Sequence, residues 1–108
     1  MKKTFKFFHG DIDFFEVKKL TKQYKEIATT NKHVTQNGTA SGHQHLVTSD
    51  SQFKVYQDND GNLAYAFDHP AQISHEEHRT HDIEPGIYVV EHEQEENPRD
   101  GIVREVID

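Results

Sequence analysis

Short runs of β-branched and aromatic residues, separated by turn signals, constrain the fold of this chain more than any other feature. The clearest runs are residues 52–57, 63–67 and 87–93, separated by the turn-forming stretches 58–62 and 85–86. Short strands bounded by Gly, Pro, Asn and Asp are typical of all-β sandwiches and barrels. We therefore predict an all-β, mostly antiparallel fold, a small β-barrel or sandwich of five to seven short strands. At this length the chain forms a single domain, residues 1–108.

The remaining segments extend the same pattern with weaker signals. Residues 9–17 partly alternate, which indicates a strand with both faces partly covered, and 43–48 and 102–107 predict further strands. Asn37-Gly38 is a strong turn signal. Residues 18–27 are compatible with either a short helical turn or a polar connection.

Two close-spaced pairs stand out among the nine histidines, His43 with His45 and His75 with His78. Side chains two residues apart on a strand point to the same face, so His43 and His45 could chelate one ion. His75 and His78 become neighbours on a helical turn, which Ser74 could cap. His81 follows on the same face if the turn continues. The alternative is a set of exposed or hydrogen-bonded side chains in polar loops, and it is favoured for His33, His69 and His92.

The chain contains no cysteine, so a metal must be held by imidazole and carboxylate. We predict a structural site for one divalent transition metal, and zinc is the first candidate. Its ligands are His43, His45, His75 and His78.

An enzyme is the weaker interpretation of the same residues. Three histidines and a water could leave an open coordination position, with Glu76 or Glu77 as the base in a small metal-dependent hydrolase. No hydrolytic motif and no phosphate-binding loop accompanies the histidines. The sequence assigns no catalytic residue, and we lean against an enzyme.

The charge is divided unevenly along the chain. Residues 1–32 carry eight Lys/Arg against four Asp/Glu, and residues 33–108 carry four against fifteen. An acidic body repels nucleic-acid phosphates, so nucleic-acid binding is disfavoured. The second hypothesis is therefore an acidic interaction or inhibitor protein, from a mobile element, that blocks a basic surface on a partner protein. A homo-oligomer is compatible with the sequence.

A cytoplasmic location is expected from two features. No apolar run has the length of a membrane span, and Met1-Lys2-Lys3 is not followed by the apolar region of a signal peptide.

Four sequence blocks together resemble a small family of uncharacterised bacterial and phage-associated proteins. The blocks are residues 9–11 (His-Gly-Asp), 39–45 (Thr-Ala-Ser-Gly-His-Gln-His), 75–78 (His-Glu-Glu-His) and 83–90 (Ile-Glu-Pro-Gly-Ile-Tyr-Val-Val). The resemblance covers most of the chain and implies no assigned activity.

Carried over by position, the resemblance favours the two histidine pairs named above as site residues. It places His9 next, and it leaves His69 and His81 outside the matching pattern.

Overall fold

The computed structural model describes residues 2–35, 45–75 and 78–92, with the backbone alone described at His78 and His92. This part of the chain forms eight strands and every ladder is antiparallel, which confirms the all-β class and exceeds the five to seven strands expected. The strands are β1 (Thr4–His9), β2 (Ile12–Val17), β3 (Lys25–Val34), β4 (Leu46–Gln57), β5 (Leu63–Phe67), β6 (Ala71–His75), β7 (His78–Ile83) and β8 (Gly86–His92).

One continuous sheet in the order β1-β2-β8-β5-β4-β6-β7 curls into a nearly closed barrel. The long strand β4 makes this possible because its two halves pair with different neighbours. Residues 54–57 pair with β5 and residues 46–49 pair with β6, while β3 pairs along the other edge of β4.

The two ends of this order, β1 and β7, meet through side chains at a boundary that we call the seam. The rings of Phe7 on β1 and His81 on β7 have centroids 4.1 Å apart. In addition, the side chain of His9 reaches the backbone of Arg79 on β7. The seam is therefore closed by side-chain contacts, whereas strands elsewhere in the sheet are joined by backbone ladders.

An aromatic cluster fills the barrel. Phe14 is fully buried, stacks against Phe7 with centroids 4.6 Å apart and lies beside Tyr65 and Tyr88. Val17, three residues further along β2, packs in a second cluster with Ala64 and Val89, which confirms that both faces of this segment are covered.

The structure corrects two local predictions and decides between the two alternatives for residues 18–27. The segment 9–17 is not one strand, because β1 ends at His9 and β2 begins at Ile12. Residues 18–24 form a connection without a helix, and β3 begins at Lys25. The helical turn at 74–78 is wrong, because Ser74 and His75 end β6, His78 begins β7 and these two strands pair antiparallel.

The hairpin of 52–57 with 63–67 is confirmed by the pairing of β4 with β5, and the strand predicted over 87–93 is confirmed by β8 up to His92, the last described residue. The strands predicted separately over 43–48 and 52–57 form one continuous strand, β4, which begins at Leu46. The predicted turn at Asn37-Gly38 and the closing strand at 102–107 lie outside the described residues. Within the described ranges, no helix is long and apolar enough to cross a membrane.

Candidate functional site

His9 enters the site from the last position of β1 and is fully buried. It pairs with Ile12 across a two-residue hairpin loop made by Gly10 and Asp11. Gly10 has a φ of 63°, which a type II′ turn requires at its first central position and glycine adopts readily. The turn thereby places Asp11 at the exposed tip next to a buried histidine.

His45 lies immediately before β4 and is also buried. Its carbonyl oxygen accepts two hydrogen bonds from the buried residue Thr35, one from the backbone N–H at 2.8 Å and one from the hydroxyl at 3.3 Å. These bonds attach the end of β3 to His45 and hold the backbone from which its ring projects.

The Nδ1 atoms of His9 and His45 face each other at 2.9 Å. The Nε2 atom of His9 lies 2.6 Å from the carbonyl oxygen of Arg79, and the Nε2 atom of His45 lies 3.4 Å from Oδ1 of Asp11. A carbonyl oxygen only accepts hydrogen bonds, so His9 carries its hydrogen on Nε2 and, when neutral, presents a lone pair at Nδ1. A proton or a cation between the two Nδ1 atoms satisfies this close approach.

His75 joins the pair through the register of β4 and β6. Leu46 pairs with Ser74, so the next position places His45 beside His75, and their ring centroids are 4.5 Å apart. His78 is the register partner of His75 in the β6–β7 hairpin. The backbone therefore aligns positions 45, 75 and 78 across the ends of three neighbouring strands.

The environment keeps the His45 imidazole neutral. Burial is the main cause that lowers the pKa of His45 to about 4, and the neighbouring His9 and His75 act in the same direction. The Asp11 carboxylate opposes them. A neutral imidazole at physiological pH is the form that can ligate a metal ion.

The structure describes only some of the predicted site residues. It brings His45 and His75 together, while His43, Glu76 and Glu77 lie outside the described residues and the side chain of His78 is not described. Among the described side chains, no group of three or more His, Asp or Glu is arranged to hold a metal ion. The predicted ligand set therefore stays a prediction.

Sequence reasoning placed His9 behind the two pairs and missed Asp11 and the carbonyl of Arg79. The His9-Gly10-Asp11 block contained a signal for His9 and Asp11, because a tight turn keeps the side chains in it and next to it close together.

The other histidines have separate surroundings. His33 Nδ1 lies 2.9 Å from the Tyr65 hydroxyl, and burial lowers the pKa of His33. His69 is exposed, and His81 packs on Phe7 at the seam.

Acid should destabilise the metal-free protein through His45. The unfolded chain takes up this proton near pH 6.5 and the folded chain near pH 4, so the free energy of unfolding should fall as the pH is lowered through this window. The pKa difference sets an upper limit of about 3 kcal/mol, and water near the exposed Asp11 reduces the expected change to about 1–2 kcal/mol. Urea unfolding in the presence of a chelator, repeated between pH 7 and pH 4, measures it.

The matched control is His69→Gln, which should keep the full acid sensitivity because His69 is exposed. His45→Gln should flatten the profile. An unchanged profile in His45→Gln would show that His45 does not carry the effect.

Fold and site together define a small antiparallel β-barrel with a buried histidine cluster beside its seam. The sequence of residues 8–93 matches a family described as "Domain of unknown function (DUF8820)", and the chain belongs to this family. The match agrees with the resemblance to an uncharacterised family, while the association with phages stays a prediction. No curated protein and no solved structure matches the chain.

Proposed function

We propose that this domain binds one divalent transition-metal ion through its buried histidine cluster, and that zinc is the first candidate for this ion. His9 and His45 contribute their Nδ1 atoms. His75 is the third candidate ligand; its ring lies against that of His45, and it must reorient to share an ion, because the described side chains form no three-residue metal group. His43 and His78, the remaining members of the predicted set, are the candidates to complete the coordination. The observation that carries the proposal is the convergence of the Nδ1 atoms of His9 and His45 to 2.9 Å.

The partners of the two Nε2 atoms support a metal at this position. Metal-bound imidazoles commonly donate their second ring N–H to a carboxylate or a backbone carbonyl, which fixes the tautomer and the ring orientation. His9 has such an acceptor in the carbonyl of Arg79, and His45 has one in Asp11. Two nitrogens on one tetrahedral zinc ion lie about 3.4 Å apart, so the pair needs to open by only about half an ångström.

The proposed role is structural. His9 comes from β1, His45 precedes β4 and His75 ends β6, so an ion shared by them links segments that are distant in sequence. It also lies beside the seam, where His9 contacts β7 through the carbonyl of Arg79. Structural metal sites add their binding free energy directly to the stability of the fold.

Metal binding changes the expected tautomer of His45. In the metal-free protein His45 donates from Nδ1 to the lone pair of His9, so its single hydrogen lies on Nδ1. Ligation through Nδ1 requires that hydrogen to move to Nε2, where Asp11 can accept it. His9 keeps its hydrogen on Nε2 in both states.

Untagged protein purified without added metal should contain close to one equivalent of zinc, measured by elemental analysis. After chelation, titration with zinc should restore one equivalent, and long-range ¹⁵N–¹H spectra of the imidazoles should show both His9 and His45 as Nε2–H tautomers. Sub-stoichiometric metal together with no saturable uptake would overturn the proposal. Stoichiometric uptake with His45 still protonated on Nδ1 would reject the assigned ligand atom.

A further inference from the structure

A concave feature lies away from the histidine cluster, on the opposite face of the β2–β8–β5 sheet from the aromatic core. It is a cavity of about 990 Å³, large enough for a small organic ligand. The start of the chain, the end of β2, the connection 18–22 and the start of β8 line it. None of its lining residues belongs to the histidine cluster.

The floor of the cavity is apolar. Val17, Leu20 and Ile87 line it, and all three belong to the second hydrophobic cluster. Leu20 lies in the connection after β2 and packs against this face of the sheet. The base of the cavity is therefore formed by side chains of this hydrophobic cluster.

The rim of the cavity is positively charged, although the protein as a whole has a net charge of −7. The lining lysines are Lys2, Lys18, Lys19 and Lys22. Among the described residues, Glu16 is the one carboxylate in the lining, and it forms an ion pair with Lys6 at 3.4 Å. A concentration of ammonium groups around a low-dielectric floor attracts anions.

One hydroxyl of the lining has no hydrogen-bond partner in the part of the chain that the structure describes. The hydroxyl oxygen of Thr21 is buried and makes no hydrogen bond with any of the described residues. Buried polar atoms normally have a hydrogen-bond partner, so this hydroxyl needs an explanation. A ligand oxygen at the same place would satisfy it.

We propose that this cavity binds a small amphipathic carboxylate, such as a medium-chain fatty acid. Its carboxylate lies among the lysines and accepts a hydrogen bond from the Thr21 hydroxyl. Its apolar chain covers Val17, Leu20 and Ile87. The combination of a cationic rim, an unpaired hydroxyl and an apolar floor selects this chemistry over either an inorganic anion or a neutral hydrocarbon.

Titration calorimetry of the full chain with decanoate, below its micelle concentration and at low salt, tests the proposal. Decanoate should bind at one site, and decanol and inorganic phosphate should bind at least about tenfold more weakly. The triple variant Lys18→Gln, Lys19→Gln, Lys22→Gln should bind decanoate about tenfold more weakly. Each exposed lysine contributes a small part of the binding free energy, and the three contributions together amount to about a factor of ten in affinity. Thr21→Val should lose about threefold.

The matched control is Lys25→Gln, Lys32→Gln, Lys54→Gln, which removes the same charge from exposed lysines outside the cavity lining. It should bind decanoate within about twofold of wild type, and all variants should melt as wild type does. Equal affinity for decanol, no binding of decanoate, or the same loss in both triple variants would overturn the proposal.

Discussion

His45→Ala should abolish the stabilisation of this protein by zinc. A ligand that binds only the folded state stabilises it by about 4 kcal/mol when its free concentration is about 1,000 times its dissociation constant. His45 is central to the proposed site, since its ring contacts both His9 and His75. Urea unfolding with chelator and with buffered zinc, for wild type and variant, gives the zinc-dependent difference directly.

Two further variants make this experiment specific. Asp11→Asn should keep zinc binding but weaken it about 10- to 100-fold, because the residue orients the His45 ring without being a proposed ligand. His69→Ala removes an exposed histidine and should leave the zinc response intact. If His45→Ala retains the full stabilisation, zinc binds elsewhere and the proposed centre is wrong.

Phe14→Ala should cost about 3–5 kcal/mol of the free energy of unfolding, with or without metal. Truncation of a buried aromatic side chain loses its transfer free energy and leaves a cavity that the surroundings fill only in part. Phe14 is fully buried, stacks on Phe7 and lies against two tyrosines, so these rings cannot all move to fill the space. The free energy of unfolding of a native domain is only about 5–15 kcal/mol in total. The variant should therefore be close to unfolding at physiological temperature.

Ile27→Ala is the matched control for the loss of a large hydrophobic side chain. Ile27 is 49% exposed on β3, and its truncation should change the stability by about 0.5 kcal/mol or less. Chemical denaturation of both variants measures the comparison. A loss below about 1 kcal/mol in Phe14→Ala would contradict the packing described for the barrel interior.

The parts of the fold that could be predicted from sequence are those that local chemistry determines. The turn around Asp58 and Gly61 identifies the β4–β5 hairpin, because Asp58 accepts backbone hydrogen bonds from Asp60 and Asn62 and Gly61 adopts a φ of 86°. The apolar run of β8 is equally clear, since both of its neighbours are strands of the same sheet.

Strands with polar sequences, which form only through pairing with other strands, were missed. β3 has a largely exposed and polar sequence and forms because β4 pairs along most of its length. β6 and β7 carry several polar residues, and the Ser74-x-x-Glu77 spacing indicated a helical turn there. Pairing of β6 with β4 prevails over that local preference, as tertiary context commonly does.

The candidate site could be predicted only in part for the same reason. His45 and His75 were found because each belongs to a close-spaced pair in the sequence. His9 was named only after these pairs, and its contacts were not predicted, since His45 and Arg79 are 36 and 70 residues away along the chain. Spacing along a sequence says little about side chains that only the closure of a barrel brings together.

The pairing of β2 with β8 has a consequence for how the chain assembles. Ile12 lies opposite His92 and Val17 opposite Ile87, so this ladder joins residues 70 to 80 positions apart. During synthesis from the N-terminus, the β1–β2 hairpin is complete long before its neighbour in the sheet exists. Until β8 emerges, one edge of β2 has no strand to pair with, and the apolar side chains of Phe14 and Val17 lack the residues of β8 that pack against them. The nascent protein therefore presents an aggregation-prone edge until β8 has been synthesised.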